Sequence, residues 1–111
     1  MHYDLMVYKN SYDLLLILYN LCSNFSKEYK YNLGEKIKDE TLELLINIFQ
    51  ANSNFVDRKK NLDLAKIRIE KITIYIRILK DLKQINLKKF VWLNEKIDII
   101  NRQLISWNKK S

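Results

Sequence analysis

Apolar residues recur at alternating gaps of three and four along most of this 111-residue chain, and no proline interrupts them. Such spacing collects side chains into one stripe of an α-helix and scatters them over both faces of a strand. With a single glycine, Gly34, the chain also lacks the residues that the tight turns of a many-stranded sandwich or barrel demand. The expected fold class is therefore all-α.

Four segments carry the pattern. The first, roughly 4–24, has a seam of Leu5, Tyr8, Tyr12, Leu15, Tyr19 and Cys22, with Val7, Leu14, Leu18 and Leu21 as a second stripe beside it. Residues 25–31 break the periodicity and read as a connection. Asn32 with Glu35 three residues on has the form of an N-cap and its capping-box partner. The second helix, roughly 33–52, presents Leu33, Ile37, Leu44, Ile48 and Ala51, widened by Leu42, Leu45, Ile46 and Phe49.

The third helix, roughly 57–84, carries Leu62, Ala65, Ile69, Ile72, Ile76 and Leu79, with Ile67, Ile74, Ile78 and Leu82 as a second stripe. Isoleucine favours strands, and 67–78 alternates locally, but a helical period sustained over more than 20 residues exceeds any ordinary strand. Asn86 caps a fourth helix, roughly 87–108, whose seam is Phe90, Leu93, Ile97, Ile100, Leu104 and Trp107. Short connections force neighbouring helices antiparallel, so one domain spanning 1–111 forms an up-down-up-down four-helix bundle. The doubled stripes of the first and third helices exceed what one bundle of this size covers, and they predict self-association.

The same residues exclude several functions. A lone cysteine, Cys22, rules out a disulfide scaffold and a Cys-based zinc site, and it reads as a small core residue. A lone histidine, His2, leaves no basis for the Glu-x-x-His pairs of a di-iron bundle or for a His-dependent triad. Gly34 stands alone, so there is no phosphate-cradling loop. The sequence reads as a non-enzyme without cofactor or metal. The longest apolar run, Leu14 to Tyr19, falls far short of the ~20 residues of a membrane span. No export signal is visible at the N-terminus, and a soluble, cytoplasmic protein without membrane association is expected.

Charge is concentrated in one half. Residues 1–53 hold five Lys and seven Asp or Glu, a net of −2, while 54–111 hold fifteen Lys or Arg and six Asp or Glu, a net of +9. On the fourth helix Lys88, Arg102 and Lys109 share a seven-residue register interrupted by Glu95, and Lys89, Lys96 and Lys110 share the next. Together they predict a basic strip two rows wide opposite Phe90, Ile97 and Leu104. The third helix adds Lys59, Lys66, Arg77 and Lys80, with Arg58, Lys60, Arg68, Lys71 and Lys83 nearby. Such a strip engages phosphates through counterion release, or it is a solvated face that keeps the protein in solution. Tyr29, Tyr31, Trp92 and Trp107 are candidates for base stacking, although Trp107 continues the core seam and Trp92 falls off it.

Taken in order, Tyr12-Asp13-Leu14-Leu15-Leu16, Leu18-Tyr19, Phe25-Ser26-Lys27, Tyr31-Asn32-Leu33-Gly34, Ala51-Asn52, the segment from Tyr75 to Leu82 and a Trp near the C-terminus resemble one family. It is that of the accessory variability determinant (Avd) proteins of diversity-generating retroelements. Wider relatives are the bundle proteins encoded in intervening sequences of large-subunit ribosomal RNA genes. The resemblance implies a barrel-shaped homopentamer of four-helix bundles with a basic surface. It further implies association with a reverse transcriptase and with template RNA, extending to DNA, in support of mutagenic retrohoming without catalysis. Arg77 matches the family's basic residue on the third helix; the other cations are nominated by charge and register alone. The alternative is a structural or protein-interaction bundle with no nucleic-acid role.

Overall fold

Helical spacing without helix breakers becomes four long helices and one short turn. The structure, a computed structural model, describes residues 2–110, with side chains from Leu5 onward. Met1, Ser111 and the side chain of His2, all counted in the single domain above, lie outside the described residues. The helices are α1 (His2–Cys22), α2 (Lys27–Lys30), α3 (Leu33–Ser53), α4 (Arg58–Asp81) and α5 (Leu87–Lys110). Each long helix packs on its chain neighbour, and α5 closes the ring against α1, in a body of 43 × 23 × 18 Å. This is the expected all-α four-helix bundle, with no strand among the described residues.

The core follows the seams of the last three long helices. Ile37, Leu44, Ile48 and Ala51 of α3, Leu62 to Leu79 of the α4 seam, and Leu93, Ile97, Ile100, Leu104 and Trp107 of α5 are buried. In α1 the assignment reverses. Val7, Leu14 and Leu18 enter the core with Leu15 and Cys22, whereas Leu5, Tyr8, Tyr12 and Tyr19 of the expected seam are exposed. The stripes are adjacent, so a helix can satisfy the same spacing after a small rotation about its axis. What decides is burial: aliphatic side chains fill the centre and the tyrosine hydroxyls stay in water.

Connections depart from expectation in three places. Residues 25–31 contain the single turn α2, and Phe25 is buried over the end of the core. The capping box at Asn32 does not form. The Asn32 carboxamide oxygen accepts from Leu33 N–H, Asn32 N–H donates to Tyr29 O at 3.4 Å, and Glu35 pairs forward with Lys38 Nζ at 2.6 Å. Helix α4 ends at Asp81, three residues early, with Lys83 at φ 62°. Asn86 does cap α5, its Oδ1 accepting from Lys89 N–H at 2.8 Å.

Candidate nucleic-acid interface

The seam between α4 and α5 is flanked by polar residues at seven-residue intervals. Lys59, Lys66, Thr73 and Lys80 follow one another on α4, and Asn94, Asn101 and Asn108 on α5. Seven residues are nearly two turns, so each series lies in a row with members about 10 Å apart. The rows meet in two adjoining hollows of about 320 and 440 Å³ that share Lys66 and Asn101.

The first hollow is cationic. Lys59, Lys66 and Lys109 line it with Asn101 and Asn108, above a floor of Leu62 and Leu104. Lys59 Nζ lies 3.8 Å from Asp63, whose carboxylate also accepts from Asn108 Nδ2 at 3.1 Å. Asn108 Oδ1 is buried without a hydrogen-bond donor. The hollow thus offers ammonium groups for phosphate oxygens and the Asn101 amide at its edge. The second hollow includes Glu70 and Asp98 beside Lys66, so its charge is not positive.

The other nominated cations divide into those turned to solvent and those held by the fold. Lys88 and Arg102 run along the outer face of α5, with Arg102 Nε 3.1 Å from Asp98. Arg77 pairs with Asp81 at 3.2 Å, and Lys60 and Lys110 are exposed. Arg68 is drawn to α3, where it meets Glu40 at 3.2 Å with Lys71 on the other carboxylate oxygen at 3.8 Å. Arg58 donates to Ala51 O at 2.9 Å and lies against Phe55 and Trp107. Lys80 covers the Phe90 ring at 5.0 Å. Lys89 and Lys96 are half-buried, each 4.9 Å from the Trp92 ring centroid, and Gln103, seven residues after Lys96, accepts from Asn10 Nδ2 of α1 at 3.1 Å, so these two lysines lie toward α1 and not opposite the core.

Asn94, Asn101 and Asn108 carry no charge, so the charge pattern of the sequence does not mark them. Their shared register with Lys59 and Lys66 is the signal that finds them. Among the described residues no group of three or more His, Cys, Asp or Glu is placed to hold a metal, and no helix is long and apolar enough to cross a membrane.

Opposite this seam lies a different surface. Lys38 Nζ sits 4.7 Å from the Tyr19 ring, which places Tyr19 and its stripe on the α3 side of α1. Tyr8, Tyr12, Leu16 and Tyr19 therefore run beside Leu42, Ile46 and Phe49 of α3, all exposed. The chain presents an amide-lined seam on α4/α5, cationic at its first hollow, and an apolar face on α1/α3.

A family model described as bAvd-like matches residues 5–111. A solved structure from Bacteroides thetaiotaomicron, described as a protein of unknown function from the S23 ribosomal protein family, superposes with a TM-score of 0.87. The two share 21% identity over 96% of this chain and 98% of that one, a likeness of fold. No curated protein matches the chain.

Proposed function

The chain belongs to the bAvd-like family, and from that membership we propose that it is a non-enzymatic accessory protein of a diversity-generating retroelement. In this reading an oligomeric bundle holds template RNA or its complementary DNA beside the reverse transcriptase. Its contribution is electrostatic and architectural. The observation that carries the reading is the convergence of Lys59, Lys66 and Lys109 with two asparagine amides in one hollow. The net +9 of residues 54–111 extends that field along α4 and α5.

The test is light-scattering mass with and without a structured RNA across a salt series. A multimeric mass with salt-sensitive RNA binding supports the reading. Each phosphate contact contributes about 0.7 to 0.9 to the slope of log affinity against log salt. The triple change K59Q/K66Q/K109Q is accordingly expected to lower that slope by about 2. An unchanged slope removes the hollow from the interface, and absence of RNA binding removes the function.

The second reading is a bundle whose role is protein association alone. The exposed α1/α3 face favours it. A protein indifferent to RNA that still assembles through that face is its expected signature.

A further inference from the structure

Trp92 is the more exposed of the two tryptophans, at 38% against 5% for Trp107. It lies outside the α5 seam, so the core does not explain an indole there. Lys89 and Lys96, three residues before and four after, stand on the same side of the helix. Each ammonium lies 4.9 Å from the Trp92 ring centroid. Trp92 also borders an open depression of about 980 Å³ that includes Lys88 and Glu95. Three ammonium groups and one carboxylate around an exposed π-surface form a local site of net positive charge.

We propose that Trp92, with Lys88, Lys89 and Lys96, is a stacking site for an unpaired base of single-stranded RNA or DNA. This deepens the nucleic-acid reading above and rests on it. The chemistry requires a free base face: in a duplex the faces are occupied by neighbouring pairs, and only an unpaired base can lie on the indole. The lysine heads, held against the ring in the free protein, have flexible four-carbon stems and can move to the flanking phosphates. Base stacking and ion pairing then act together, while the hollow at Lys59, Lys66 and Lys109 engages backbone without regard to pairing.

The test compares a short oligouridylate with an RNA duplex of equal phosphate number, using the full chain and W92L. Leucine keeps apolar bulk at an exposed position and removes the π-face, and circular dichroism confirms an unchanged fold. The W92L spectrum also supplies the Trp107 background, so subtraction isolates Trp92 fluorescence. Expected are quenching of Trp92 by oligouridylate and an about tenfold loss of oligouridylate affinity in W92L. Duplex affinity should change by less than twofold. Equal losses on both probes, or no loss on the single strand while both probes still bind, overturn the stacking site and leave the basic hollow standing. If neither probe binds the unaltered protein, the nucleic-acid reading itself falls, and this site with it. A W92L change in assembly mass without a change in oligouridylate affinity assigns Trp92 to a protein contact instead.

Discussion

At the scale of single residues, the chain's one thiol shows how burial sets ionisation. Cys22 is buried on α1, and its Sγ approaches Gly34 O at 3.7 Å. Burial pushes the Cys22 thiol up to about 11 from an ordinary 9.0, against the pull of Lys38 and with a smaller push from Glu35. The unfolded chain therefore loses this proton first as pH rises. Stability present below pH 9 declines between about 9 and 11, by about 2 kcal/mol. Lys38, raised chiefly by its hydrogen bond to Glu35, adds a loss that starts only above its ordinary 10.5. Denaturant titrations at stepped pH should show the decline beginning near 9 in the native chain. In C22A the decline should begin only in the Lys38 range. An identical onset in both would show that thiol burial is not the cause. The placement of Cys22 inside was legible from its spacing with Leu15. That Tyr8, Tyr12 and Tyr19 share that spacing yet stay outside was not, because periodicity fixes the existence of a stripe and not its direction.

At the scale of elements, the long helices are legible because their seams repeat five or six times, whereas their ends depend on a few local bonds. The clearest instance closes α4. Gln84 N–H donates to Leu79 O at 2.9 Å and Lys83 N–H to Lys80 O at 3.0 Å, a Schellman arrangement with Lys83 left-handed at φ 62°. Glycine usually marks this position in a sequence and lysine leaves no mark, so the spacing alone extends the helix to 84. A side chain in this conformation costs roughly 1 kcal/mol that glycine avoids, partly offset by glycine's greater freedom when unfolded. K83G is therefore expected to stabilise the fold by about 0.5 kcal/mol. K83A, which keeps a Cβ, should give no such gain in chemical denaturation. Equal stability of K83G and K83A would contradict the assignment of strain to Lys83. The same end is tied across the bundle, since Ser26 N–H donates to Gln84 Oε1 at 2.7 Å. This bond joins two connections that the sequence presents 58 residues apart.

At the scale of the whole molecule, the two halves of the chain form opposite surfaces, and in the proposed reading assembly is where their difference acts. The basic character of α4 and α5 was legible from the charge count, but the site within it was not: Arg58 and Arg68 spend their charge on Ala51 O and Glu40. The surplus of apolar positions on α1 was legible too, although the expected partner surface, the second stripe of α4, is less continuous. There Ile67 and Ile74 are exposed, Leu82 is marginally so and Ile78 is half-buried. The fuller face joins Tyr8, Tyr12, Leu16 and Tyr19 to Leu42, Ile46 and Phe49. Completing the burial of seven half-exposed apolar side chains is worth on the order of 1 kcal/mol each, which is comparable with the roughly 4–15 kcal/mol cost of association. A modest loss of that surface should therefore tip the balance. L42K/F49E replaces two exposed side chains, so the bundle itself should keep its helicity, while the light-scattering mass falls to that of a 13.5 kDa protomer. If the hollow binds RNA as proposed, affinity per protomer should persist with a shallower concentration dependence, because copies that no longer assemble do not combine their fields. If the multimeric mass survives both substitutions, assembly uses another face, and the α1/α3 surface is not the interface between copies.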